Sequence, residues 1–151
     1  MDFDTNNILV DVAVEDKLDL FKYIASYAFS KKIIDNENAL IEAFLERESE
    51  FSTGLQDSFA IPHAKTNFIK KPTVLFLKLS EPISWETFDG QPVSNVFALL
   101  VPKEYEGKEH LKMISNIATL LLEDDFTELI KNSNDVEILE KNIYEAMRGE
   151  N

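Results

Sequence analysis

At 151 residues the chain has the length of one domain, and with 44% hydrophobic residues it can bury a sizeable core. It contains no cysteine, which excludes disulfides, thiolate metal sites and cysteine nucleophiles within the sequence. Its 28 acidic and 15 basic residues leave a net charge of −13, so nucleic acid and anionic membranes are poor partners, whereas a basic protein would be steered towards it. No apolar run approaches the roughly 18 residues that span a membrane, and residues 1–6 lack the basic and apolar regions of a signal peptide. The expectation is a cytoplasmic protein with no direct membrane insertion.

Ile8, Val10, Val12 and Val14 alternate with other residues, a period of two that predicts an edge-like strand with one buried face. The period then changes. Leu18, Phe21, Ile24, Ala25 and Ala28 predict an amphipathic helix over about 15–31. Asp35 or Asn36 can cap a second helix reaching about residue 50, with Leu40, Ala43 and Phe44 inward. Arg47 continues that face and is expected near the core side or at a cleft rim, rather than pointing straight out to solvent. Ser52-Thr53-Gly54 turns the chain, and Ser58 to Ile61 reads as a short strand closed by Pro62.

The nearly continuous apolar stretches Val74–Leu79 and Val93–Val101 predict strands covered on both faces. Between them, Glu81-Pro82 and Asp89-Gly90-Gln91-Pro92 punctuate a connection that holds Trp85. A third helix follows, with His110 in its first turn and Leu111, Ile114, Ala118 and Leu121 on its buried face. Phe126, Leu129 and Ile130 suggest a short helix. Val136, Leu139, Ile143 and Met147 give a last one, with Asn134 and Glu137 spaced as a capping box. Buried strands between amphipathic helices argue for one α/β layered domain over 1–151.

His63 stands directly after Pro62, which fixes its own φ and pushes Ile61 into an extended conformation. The pair sets the imidazole at a sheet edge, where clefts of α/β proteins form. A neutral imidazole is a nucleophile at ordinary pH and can form a phosphoramidate that remains reactive. His63 therefore reads as a residue that receives and passes on a phosphoryl group. Its bland alternative is a surface histidine after a strand.

Arg47 carries a permanent charge and can grip phosphate oxygens with two donors, which suits phosphoryl transfer. Its alternative is an ion pair with a neighbour such as Glu50, among Glu46, Glu48 and Glu50. Ser52 and Thr53 offer hydroxyls, and Gly54 permits a tight turn that exposes N–H groups; they also suit an ordinary helix end. His110, at a helix start, is a candidate second donor, the alternative being a satisfied surface histidine. No ligand spacing supports a metal site. The P-loop, the dinucleotide fingerprint and the G-x-S-x-G elbow are all absent.

At Arg47-Glu48, Ser52-Thr53-Gly54 and Ala60-Ile61-Pro62-His63 the sequence resembles the type-2 enzyme IIA (EIIA) domains of the bacterial sugar phosphotransferase system, the fructose/mannitol type. The likeness extends through Trp85, Asp89-Gly90, Pro92-Val93, Val101-Pro102 and His110-Leu111, from about Ile8 to Ile143. It implies an α/β sandwich with a mixed β-sheet flanked by helices. It implies a phosphotransferase component in which His63 takes a phosphoryl group from the phosphohistidine of the carrier HPr. His63 then gives it to enzyme IIB, usually to a cysteine, which here belongs to a separate chain. Arg47 and His110 carry over as residues lining that site, and Ser52 and Thr53 more weakly as turn residues. No metal or organic cofactor is implied. An alternative output is a regulatory module of the nitrogen-regulatory type, binding non-transport proteins according to its phosphorylation state. A non-catalytic acidic adaptor needs the histidine–arginine pattern to be coincidence. One departure stands out: the family turn before A-I-P-H often carries glycines where this chain has Gln56 and Ser58.

Overall fold

The computed structural model of the protein describes residues 3–104 and 107–149. In chain order the elements are β1 (Ile8–Val12), α1 (Lys17–Ser30), α2 (Glu37–Glu50), β2 (Phe59–Ala60), β3 (His63–Thr66), β4 (Thr73–Ile83), β5 (Val93–Pro102), α3 (Lys108–Leu120), α4 (Asp124–Asn132) and α5 (Val136–Arg148). A short 3-10 turn, Thr5–Asn7, precedes β1. Asp16 and Asn36 open α1 and α2 by accepting hydrogen bonds from the N–H groups of Asp19 and Ala39, which those helix ends leave unpaired.

The strands form one sheet in the order β1-β4-β5-β2, with β3 also paired to β5. β4 and β5 run antiparallel, while β1 is parallel to β4 and both β2 and β3 are parallel to β5. The sheet is therefore mixed. The apolar runs in β4 and β5 have a plain cause, since alternate side chains enter two separate cores. Leu75, Leu77, Ala98 and Leu100 pack with Phe21 and Ile24 of α1 and Leu40 and Phe44 of α2. Val74, Phe76, Phe97 and Leu99 pack with Ile117 of α3, Ile130 of α4 and Ile143 of α5. The protein is a three-layer α/β sandwich, as its alternating pattern predicts.

Phe21 and Phe44 stack with ring centroids 4.8 Å apart, and Trp85 meets Phe21 edge-on at 6.1 Å. A fully buried phenylalanine of this kind carries about 3–5 kcal/mol, so the connection between β4 and β5 is anchored firmly onto α1 and α2. Lys78 is the exception among the inward residues of β4. It falls on the same face as Val74 and Phe76, with only 9% of its surface exposed. Its ammonium donates to the carbonyl oxygens of Ile130 (2.5 Å), Lys131 (2.9 Å) and Ser133 (2.6 Å). These are the carbonyls that the end of α4 leaves without helical partners, at the negative end of its dipole. Burial pushes the Lys78 pKa below the ordinary lysine value.

Several details differ from the pattern in the sequence. The alternation of β1 breaks at Asp11, whose φ of 54° puts it in the left-handed region beside an irregularity between Leu9 and Val12. Ile8 and Val12 consequently enter opposite cores. β4 runs on to Ile83, and Pro82 lies in the irregular stretch between the Lys78–Asn95 and Ile83–Val93 pairs, away from the paired rungs. Pro62 interrupts the edge strand without closing it, because the chain rejoins β5 as β3. Leu18, Leu111 and Leu129 are exposed. In α3 the packed stripe is Ile117, Leu120 and Leu121, supported by Met113 and Ile114, so Leu111 in the first turn is left out of it. Asp135, not Asn134, caps α5, accepting from the N–H groups of Glu137 and Ile138.

Candidate functional site

Arg47 lies in the last turn of α2, one turn beyond the buried Phe44, and the helix face carries its guanidinium to the sheet edge. Its Nε–H donates to Nε2 of His63 at 2.9 Å, and its Nη1 donates to the carbonyl of Phe51 at 2.8 Å. The ion pair with Glu50 is not formed. Among the described residues no carboxylate pairs with Arg47.

His63 is the first residue of β3, half-buried, and opposite Leu99 of β5. Its Nδ1 lies 3.0 Å from the carbonyl oxygen of Ile61. A carbonyl only accepts, so this contact requires the proton on Nδ1 and leaves the lone pair on Nε2. The Arg47 contact agrees, since a guanidinium only donates. Two neighbours of opposite hydrogen-bonding character thus fix one tautomer, with the nucleophilic nitrogen facing the permanent cation.

The residues before His63 form a small hairpin. The N–H of Leu55 donates to Phe59 at 2.9 Å and that of Ile61 to Thr53 at 3.0 Å, so Ser52-Thr53-Gly54 and Ala60-Ile61-Pro62-His63 are its two arms. Ser52 Oγ donates to the Glu86 carbonyl at 2.6 Å. The Thr53 N–H donates to the Glu48 carboxylate at 3.1 Å, and the Thr53 hydroxyl donates to the same group. Both hydroxyls are taken up in bracing the turn. Gly54 is needed for space, because a Cβ there would stand 2.4 Å from the Glu86 carbonyl oxygen and 2.8 Å from the Trp85 ring.

Glu48 belongs to the Arg47-Glu48 pair of the family pattern, but the sequence does not tell its role apart from that of Glu46 and Glu50. In the structure its side chain is only 8% exposed and also lies 3.8 Å from Lys17. The one signal of its role is its place directly after Arg47 and shortly before Ser52-Thr53-Gly54.

The tip of the hairpin is where this sequence lacks glycines. The left-handed residues are Asp57 (φ 60°) and Ser58 (φ 70°), while Gln56 is not among them. Such a conformation costs a non-glycine residue about 1–2 kcal/mol, and contacts from three elements offset it. The Asp57 carboxylate pairs with Lys131 of α4 at 2.5 Å, and the Asp57 N–H donates to Asp89 at 2.9 Å. The Ser58 carbonyl accepts from the N–H groups of Ser94 and Asn95, and the Asn95 amide donates to Ser58 Oγ at 3.0 Å. The N–H groups of Asp57 and Gln91 hold the Asp89 carboxyl below its ordinary pKa, and the bond to Asp57 raises that of Lys131.

His110 lies in the first turn of α3, and its side chain falls outside the described residues. Among the described residues no group of three or more histidines and carboxylates could hold a metal ion, and no helix is long and apolar enough to cross a membrane. What the geometry offers is an imidazole with a fixed tautomer, its Nε2 lone pair beside a permanent cation.

Comparison with known proteins places the chain in a family. Residues 1–146 match the family model for the phosphoenolpyruvate-dependent sugar phosphotransferase system, EIIA 2. The chain is 35% identical over 107 residues to a fructose-specific EIIA component of Haloferax volcanii, covering 71% of this chain and 69% of that one. It is 40% identical over 104 residues to a nitrogen regulatory protein of Bradyrhizobium diazoefficiens, covering 69% and 67%. The crystal structure of the nitrogen regulatory protein IIA-Ntr from Neisseria meningitidis superposes with a TM-score of 0.83 at 28% identity, over 93% of this chain and 94% of that one. The matched span runs from the first strand through the hairpin and both layers of helices, and on that ground the chain belongs to the type-2 EIIA family of the sugar phosphotransferase system.

Proposed function

We propose that the protein is a phosphocarrier in which Nε2 of His63 accepts a phosphoryl group from the phosphohistidine of HPr and passes it to an enzyme IIB for sugar uptake. The observation that carries this reading is the Arg47–His63 contact of 2.9 Å on a ring whose other nitrogen is tied to Ile61. In the first transfer the P–N bond on the donor breaks as a P–Nε2 bond forms, and the donor ring keeps the electron pair of the broken bond. The Arg47 N–H groups leave Nε2 and take the phosphoryl oxygens, spreading the developing charge. The Nδ1–H···O contact to Ile61 supports the positive charge on the phosphorylated ring. His110 is a second stabiliser of the phosphoryl group. Ser52 and Thr53 contribute by holding the turn. The acceptor thiol of enzyme IIB lies outside this sequence, which has no cysteine.

A second reading, that phosphorylation of His63 switches binding to a non-transport protein, is favoured by relatives named as nitrogen regulatory proteins. Incubation with phosphoenolpyruvate, enzyme I and HPr tests the shared step. The parent chain is expected to gain one acid-labile phosphoryl group and His63→Ala none; equal labelling of both overturns the assignment. Onward transfer to an enzyme IIB selects the transport reading. Stable, phosphorylation-dependent capture of a non-transport partner without onward transfer selects the regulatory one.

A further inference from the structure

The hairpin tip raises a question that the site alone does not answer: what keeps two consecutive non-glycine residues left-handed immediately before the A-I-P-H segment? Asp57 and Ser58 have φ values of 60° and 70°. Besides Asp89, the groups that hold them trace back to the two positions where the apolar strands turn polar. Lys78 of β4 and Asn95 of β5 face one another across the sheet. Asn95, 2% exposed, reaches Ser58, whereas Lys78 gathers the terminal carbonyls of α4, including that of Lys131. Lys131 in turn reaches Asp57 at 2.5 Å. Lys78 thus fixes the end of α4, and the end of α4 fixes the tip.

We propose that Lys131 is a positioning residue for phosphoryl transfer at His63, acting through its ion pair with Asp57. The pair holds the left-handed tip that sets the two hairpin arms in register. Register matters because Ile61 lies on one arm. Its N–H is paired to Thr53 on the other, and its carbonyl holds the proton on Nδ1 of His63. With the tip released, Ile61 is no longer fixed, the tautomer with Nε2 free is less populated, and the nucleophile is lost in proportion. This chain thereby achieves with an ion pair what a glycine achieves by lacking a Cβ. The proposal rests on the reading of His63 as the phosphoryl acceptor.

Two measurements test it. One is the rate of phosphorylation by phospho-HPr. The other is the 15N signature of the His63 ring, which reports the tautomer and needs no phosphoryl transfer. Lys131→Met and Asp57→Asn are expected to lower kcat about fivefold with KM for phospho-HPr unchanged, and to reduce the Nδ1–H population, in keeping with the loss of the short, partly exposed Lys131–Asp57 pair; Lys131→Met also removes the 3.1 Å pair with Glu128, which Asp57→Asn leaves in place. Lys131→Arg should behave like the parent. Asp57→Gly combined with Lys131→Met should restore both readings, because glycine takes φ near 60° unaided and keeps the N–H that binds Asp89.

A Lys131→Met protein with parental kcat and ring signals, even if its melting temperature falls, overturns the proposal. So does a double variant no better than Lys131→Met. Should Lys131→Met fail to fold, Asp57→Asn and the double variant decide between the same two outcomes. Should the parent accept no phosphoryl group, the function fails, while the ring signals still decide whether Lys131 sets the tautomer.

Discussion

The proposed phosphoryl transfer depends on a division of labour between the two ring nitrogens of one histidine. The Ile61 carbonyl decides where the proton sits, and Arg47 decides what faces the lone pair. These roles are separable. Replacing Arg47 removes donors needed when charge develops on the phosphoryl oxygens, yet leaves the tautomer to Ile61. Arg47→Met is therefore expected to lower kcat for phosphorylation by about 10²–10³, as when a preorganised donor is removed from a transition state. KM should change little. Arg47→Lys keeps the charge but loses the two-pronged fork, so an intermediate rate is expected. Quench-flow with phospho-HPr gives both numbers, and an Arg47→Met protein that reacts at the parental rate removes Arg47 from the mechanism. The histidine and arginine are legible in the sequence because each chemical type is unusual in its setting. Lys78 and Asn95 are not, and Glu48 only as the partner of Arg47 in the motif, because their roles lie in tertiary partners: the end of α4, Ser58 and the Thr53 N–H.

The hairpin and the connection after β4 are built against each other. Ser52 bonds to Glu86, Phe88 donates to Leu55, Asp57 donates to Asp89, and Gly54 is pressed against Trp85 and Glu86. A methyl group at Gly54 cannot be relieved by a flexible side chain, because the nearest atom is backbone. Gly54→Ala is expected to destabilise the fold by about 2–3 kcal/mol, in line with overpacked sites. For a domain of this size that is a drop of roughly 5–10 °C in Tm, read by calorimetry. A Tm within a degree of the parent would show that the two loops do not meet as described. The sequence reveals that a turn stands here but not its shape. Glycines are the usual mark of left-handed backbone, and this tip has none. The same limit explains Leu18 and Leu111, since helical spacing gives a face but not where the neighbouring layer ends.

At the scale of the molecule, the layering is readable in β4 and β5 because a strand covered on both faces has no polar alternation to show. The strand order is not readable, for apolar runs do not say which neighbours they pair with, and the parallel return of β2 and β3 onto β5 needs the whole chain. One property of the whole molecule bears directly on the proposed donor: the net charge of −13. Charge of this size acts at a distance, raising the rate of encounter with a basic carrier rather than the rate of the chemical step. Most of the carboxylates lie on the surface, where salt screens them, and the screening length falls from about 30 Å at 0.01 M salt to about 8 Å at 0.15 M. Between these conditions kcat/KM for phospho-HPr is expected to fall by about tenfold or more, as steered associations do, with kcat nearly constant because Arg47 touches His63 directly. A salt series of initial rates separates the two parameters. If kcat/KM holds level across the series, the acidic surface does not steer the donor; if kcat falls with it, the charge acts at the site itself.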